Sequence, residues 1–263
     1  TMLPFMTLPY LGSEAWRFSY LIPAILAISA TVLSLFLPVR VRKNSPASSN
    51  TLGDLMTALK TVSTSVPIWA LGIFHGLSYG TLNNLGQWLP SILADMDGKS
   101  TAIAWSLATG FVLLTGTLGR ACGSVLLRWF SRSWITNTAV LAIGILYIAL
   151  GLTGNVCTGL AVGILLAILG GINYGSIFSL TGNVVSPAYL ATAAGFMNMI
   201  ANIANVVLTL VLGTVREYTG SFGMALCATG FFALLVWLAG RKIIGALSHI
   251  GNIPASLASA GKH

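Results

Sequence analysis

The stretch from residue 66 to residue 93 constrains the fold most, because it is long and apolar yet carries polar side chains at a helical spacing. As a helix rising about 1.5 Å per residue it would span roughly 40 Å, enough to cross a bilayer. The polar residues recur every fourth position and so stack on one face: His75, Tyr79, Asn83 and Gln87. Such side chains are costly against lipid, so the stripe predicts a helix facing a protein interior or a water-filled cavity. Pore lining and hydrogen bonding between helices both remain open.

The composition indicates an integral membrane protein. Hydrophobic residues make up 56% of the chain and charged residues 7%, whereas a soluble domain carries about a quarter charged residues. The net charge of +8 lies mostly in short loops between apolar runs, which does not resemble a DNA-binding face. The three cysteines lack metal-binding or disulfide spacing and are interpreted as packing residues. We therefore expect no nucleic-acid partner, no metal, no cofactor and no enzymatic activity.

The apolar runs predict an all-α protein with seven transmembrane helices. Basic residues concentrate on one side of this arrangement, which places that side in the cytoplasm and the N-terminus of the chain outside. No secretory signal precedes the first span, so we expect further spans upstream or on a separate chain. We therefore expect a multi-pass protein of the inner or plasma membrane with a cytoplasmic C-terminus. The predicted spans are approximately 15–37, 66–93, 102–127, 135–152, 160–180, 193–215 and 224–239.

Arg120 is the ionisable residue with the strongest functional implication, because it lies inside a predicted span. A guanidinium binds carboxylate, nitrate or phosphate through parallel hydrogen bonds, which predicts an anion ligand. The alternative is an arginine near a helix end whose side chain reaches toward the cytoplasm.

Further polar residues inside the predicted spans are candidates for the same cavity. His75 is able to take up a proton near neutral pH, or to serve only as a hydrogen-bonding residue. Asn198 and Asn202 share one helical face, and Asn173 and Tyr174 lie mid-span in another helix. Hydrogen bonding between helices is again the alternative. No Asp or Glu lies inside a predicted span, so if the protein couples to protons, either the carboxylate lies in another part of the assembly or His75 takes its place.

Four stretches are informative together: Ala15-Trp16-Arg17-Phe18, the basic loop leading to Val66-Pro67-Ile68-Trp69, Gln87-Trp88-Leu89-Pro90, and residues 195–220 with Asn198, Asn202 and Gly213. They resemble the major facilitator superfamily, specifically the last helix of its N-terminal half and its whole C-terminal half. The end of the third span and the loop after it keep Gly123, Arg128 and Arg132 of the family's gating motif, but Leu127 and Phe130 replace its Asp and second Gly.

This resemblance implies a transporter of twelve helices in two bundles, with a central site used by alternating access. It divides the chain into the last helix of the N-terminal bundle (1–38), a basic cytoplasmic loop with a short amphipathic helix (39–65), a six-helix bundle (66–242) and a cytoplasmic tail (243–263). The implied partners are the lipid bilayer, a small polar or anionic substrate and the N-terminal half. Symport and antiport, as well as uniport, remain open.

Two other classes compete with the transporter interpretation. A seven-helix receptor or sensor also places its N-terminus outside, but the third and last spans lack the signatures of such receptors. A transport-dead scaffold or assembly subunit of the same fold is consistent with the altered gating motif and the absence of intramembrane carboxylates.

Overall fold

The computed structural model describes residues 24, 25, 27–33, 36, 52–98 and 105–250. The chain divides into two compact units, Thr1–Leu55 and Met56–His263. In the first unit the described residues between 24 and 36 are helical, in line with the predicted first span, whose remaining residues lie outside the described ranges. The division between the units falls within the predicted loop 39–65.

Long helices make up nearly all of the described chain, and no strand occurs in these ranges. Five of them, α3 to α7, are long and apolar enough to cross a membrane. Helix α2 is 32 residues long, but its polar stripe lowers its mean hydropathy, and it is not one of these five helices. The count of seven spans therefore stays a prediction. The helices are α1 Leu52–Ser63, α2 Val66–Asp97, α3 Ser106–Leu126, α4 Arg132–Leu152, α5 Val156–Val184, α6 Leu190–Thr219 and α7 Phe222–Ile250, with a 3-10 turn at Pro187–Tyr189.

Two helices extend past the ends of their predicted spans. Helix α2 passes through Pro90 and continues beyond the predicted end near residue 93 to Asp97, and the next residue, Gly98, has a φ of 65°, which suits glycine. Proline removes one backbone donor, but the buried Leu89 and Leu93 anchor this last part of the helix in the core. Helix α7 likewise continues to Ile250, into the predicted tail, because the buried Leu247 packs into the core of the bundle.

The second unit is built from three helix pairs that pack closely at glycines: α2 with α6, α3 with α5, and α4 with α7. A Cβ on Gly119 of α3 would lie 2.5 Å from the carbonyl oxygen of Ile168 on α5. A Cβ on Gly151 of α4 would lie 2.6 Å from the carbonyl oxygen of Gly223 on α7. Small residues that let backbones approach are the usual basis of helix association in membranes.

Two apolar clusters fill the interior at opposite ends of the helices, and polar side chains lie between them. One cluster includes Phe74 and Ile177, and the other includes Leu89 and Leu166. Each buried polar group must find a partner inside the bundle, because lipid offers none. The intervening buried polar residues are Ser78, Thr81, Asn84, Asn173 and Ser176.

Candidate functional site

His75 lies where α2, α5 and α6 meet, and its side chain is completely buried. Its Nε2 is 3.0 Å from Oδ1 of Asn198 on α6. On the other side its ring meets Tyr174 and Phe178 of α5 edge-on, with centroids 5.1 and 5.0 Å away. The ring of Tyr79, one turn further along α2, lies 5.8 Å away. The imidazole therefore ties three helices together.

Two further hydrogen bonds join α2 to α6 beyond the histidine. The hydroxyl of Tyr79 donates to Oδ1 of Asn202 at 3.3 Å. The hydroxyl of Thr209 donates to Oδ1 of Asn84 at 3.1 Å. From one of these hydrogen bonds to the next, the residue numbers increase on both helices, because α2 and α6 run in the same direction. Two residues of the predicted stripe, His75 and Tyr79, are thus hydrogen-bonded to the predicted asparagines of α6, Asn198 and Asn202.

Arg120 of α3 reaches the same region through Tyr174. Its Cζ lies 4.4 Å from the centre of the Tyr174 ring, a cation–π contact. The seam between α3 and α5 sets this geometry: a Cβ on Gly171 would collide with the carbonyl oxygen of Gly116 and lie 3.0 Å from the backbone nitrogen of Arg120. We call His75, Tyr79, Arg120, Tyr174 and Phe178 the aromatic–arginine cluster.

The guanidinium of Arg120 is exposed on the described bundle, and no carboxylate among the described residues pairs with it. A cation–π contact uses none of the hydrogen-bond donors of the guanidinium, so its N–H groups can still donate to an acceptor. Asn202 is also exposed, and Tyr79 and Tyr174 are half-buried. The cluster thus presents one cation and two phenol groups, with the amide of Asn202 hydrogen-bonded to Tyr79, an arrangement suited to holding a solute by hydrogen bonds.

The other predicted lining residues lie in different settings. Asn83 is half-buried and donates to the carbonyl of Tyr79 in its own helix at 3.0 Å. Gln87 is exposed. Asn173 is fully buried, and its Nδ2 donates to Oγ of Ser78 at 2.6 Å, which joins α5 to α2 rather than facing the open surface.

The predicted gating residues lie around the α3–α4 connection. Gly123 is buried in the seam with α5, where a Cβ would lie 2.9 Å from the carbonyl oxygen of Ile172. Arg128 and Arg132 are exposed. Arg132 donates from Nη1 to Oδ1 of Asn183 at 3.4 Å, which links the start of α4 to the end of α5.

Sequence reasoning missed two residues of this region. Phe178 packs against His75 and against Tyr174, whose ring centroid is 5.0 Å away. Thr209 bonds to Asn84. The sequence spacing could have identified both residues: Phe178 follows Tyr174 by four positions and Thr209 follows Asn202 by seven, which places each pair on one helical face.

The described helices pack in pairs around two apolar clusters with buried polar residues between them, and five of these helices are long and apolar enough to cross a membrane. The family model described as Major Facilitator Superfamily matches residues 3–209. The chain therefore belongs to the major facilitator superfamily, which confirms the resemblance seen in the sequence.

Two solved structures are similar to this chain, both of a bacterial homolog of the human lysosomal transporter Spinster. The inward-facing, unoccupied form is 17% identical with a TM-score of 0.46, and the match covers 94% of this chain and 62% of that one. The inward-facing, occupied form is 16% identical with a TM-score of 0.45, and the match covers 72% and 49% respectively. The chain thus spans less than two thirds of the length of these transporters. No curated protein matches the chain.

Proposed function

We propose that the protein is a secondary active or facilitative transporter that moves a small polar or anionic solute by alternating access. The described helices act as its C-terminal bundle, and the aromatic–arginine cluster forms this bundle's share of the substrate site. The N-terminal half, on the same or a separate chain, supplies the facing wall. The protein works in the inner or plasma membrane, with the C-terminus cytoplasmic.

The observation that carries this proposal is the environment of Arg120. A cation at this depth is costly unless it is paired or hydrated, and the described residues offer it an aromatic face but no carboxylate. A bound anion compensates this cost, and the planar guanidinium favours carboxylate, nitrate or phosphate. The contacts that run from Arg120 through Tyr174 and His75 to Asn198 then couple the anion to three other helices.

Solute counterflow into proteoliposomes that contain the full-length protein tests the proposal. The probes are labelled lactate, nitrate and phosphate, with mannitol as the neutral comparison. We expect exchange of at least one anion and none of mannitol. Loss of a charged hydrogen bond is worth about 1.5–3 kcal/mol, so Arg120→Gln should lower the exchange rate at limiting solute about 10- to 150-fold.

Arg216→Gln is the matched control, because it removes the same charge from an exposed residue at the end of α6. It should leave the exchange of anions unchanged. Equal exchange by wild type and Arg120→Gln would refute the role of Arg120. If no solute exchanges although the protein is folded and inserted, the scaffold or receptor alternative replaces transport.

A further inference from the structure

A concave surface with apolar walls lies between α2 and α7. It has a volume of about 250 Å³. None of the residues of the aromatic–arginine cluster lines it. The lining residues include Trp69, Ile73 and Phe74 from α2 and Val236, Ala239 and Gly240 from α7.

The walls of this groove are held in place by contacts within the bundle. Trp69 donates from Nε1 to the carbonyl of Ser63 at 2.8 Å and packs edge-on against Phe196 at 5.2 Å. Gly240 leaves room for the Phe74 ring, because any Cβ there would collide with it. The groove is therefore preformed, while Trp69 remains 43% exposed toward the outside of the bundle.

Two lysines lie at the same end of the bundle as the residues that line this groove. Lys60 lies in the last turn of α1, and Lys242 lies on α7 directly before Ile243, which lines the groove. Val62 packs in one apolar cluster with Ile244, so the two lysines are at the same end. Both are exposed, and no carboxylate among the described residues pairs with either.

We infer that this groove binds a membrane phospholipid, with an acyl chain against Trp69 and an anionic headgroup at Lys60 and Lys242. An apolar groove beside two exposed lysines that pair with no carboxylate in the described part of the chain is complementary to such a lipid. Each lysine near an anionic lipid surface increases the preference for anionic over neutral lipid about fivefold. Burial of the methylene groups of an acyl chain adds further binding free energy. The inference is independent of the transported solute.

Quenching of tryptophan fluorescence by brominated lipids tests this site in the full-length protein. The vesicles contain phosphatidylcholine with a small fraction of brominated phosphatidylglycerol or, separately, brominated phosphatidylcholine. The signal of Trp69 is the difference between wild type and Trp69→Phe. We expect this difference signal to be quenched at a roughly 25-fold lower fraction of phosphatidylglycerol than of phosphatidylcholine, about fivefold for each lysine.

Three variants assign the preference to the groove. Lys60→Gln and Lys242→Gln should each reduce it about fivefold, whereas Arg216→Gln at the opposite end should retain it. Ala239→Trp fills the groove from an exposed position and should weaken quenching of Trp69 by both lipids. Ala228→Trp, at another exposed position of α7, controls for the added ring and should not.

Quenching at equal fractions of the two lipids, or a preference that survives loss of both lysines, would overturn the inference. If neither lipid quenches the Trp69 signal, the inference is also overturned, because the groove would then be covered by protein. A second copy of the chain as that cover would appear as a doubled mass of the detergent-solubilised protein.

Discussion

Gly171→Ala should separate α3 from α5, because the added methyl group has no space at the seam. A Cβ at this position would collide with the carbonyl oxygen of Gly116 and lie 3.0 Å from the backbone nitrogen of Arg120. The optimal separation of non-bonded heavy atoms is about 3.5–4.0 Å. Since both neighbours are backbone atoms, no change of rotamer relieves the collision, and the helices must move apart by on the order of 1 Å.

The expected cost is about 1–3 kcal/mol of unfolding free energy, the usual range for an overpacked interior. The change also moves Arg120 relative to Tyr174, whose contact depends on this seam. A displacement of about 1 Å can reduce activity about a hundredfold, so under the proposed function the rate of solute exchange should fall together with stability, even though Gly171 itself is buried in the seam.

Unfolding in mixed micelles titrated with sodium dodecyl sulfate measures the loss of free energy. Gly175→Ala is the matched control: it lies one turn further along α5, and a Cβ there meets nothing within 4 Å. Alanine is favoured over glycine in helices by about 0.8–1.0 kcal/mol, so the control should be neutral or stabilised. Equal free energies of unfolding for Gly171→Ala and Gly175→Ala would refute the argument that this seam is held by backbone contact.

Three further changes test the polar contacts and a helix start by the same unfolding measurement. A double-mutant cycle on His75 and Asn198, whose side chains lie 3.0 Å apart, should give a coupling of about 0.6–1.7 kcal/mol. Ser78→Ala should cost about 1–3 kcal/mol, because buried Asn173 loses the acceptor of its amide group. Asn155→Ala should cost about 1 kcal/mol, because the side chain at this position accepts two backbone N–H groups at the start of α5.

Each of these expectations has an outcome that contradicts it. Zero coupling would mean that the His75–Asn198 contact does not join α2 to α6. An unchanged stability of Ser78→Ala would show that Asn173 finds another acceptor. Asn155→Asp keeps an accepting oxygen, so a loss equal to that of the alanine variant would exclude the capping hydrogen bond as the cause.

The helices and their polar faces could be predicted from the sequence. A four-residue repeat places His75 and Tyr79 on one side of a helix whatever surrounds it, because the helical period is a property of the backbone. Asn198 and Asn202 share one face of their helix for the same reason. Helix ends were less predictable: α2 passes through Pro90 because burial of Leu93 outweighs a lost backbone hydrogen bond.

The tertiary structure alone decided which of these polar residues meet. Asn173 and Tyr174 are neighbours in the sequence, yet one is buried against Ser78 and the other lies under Arg120. Periodicity specifies how side chains are arranged around one helix, but the rotation of that helix relative to its neighbours depends on packing between helices. Here backbone contacts at glycines such as Gly171 determine that rotation, and they join residues far apart in the chain. The sequence by itself therefore determined a membrane bundle with polar faces, and only the packed seams brought Arg120, Tyr174 and His75 together.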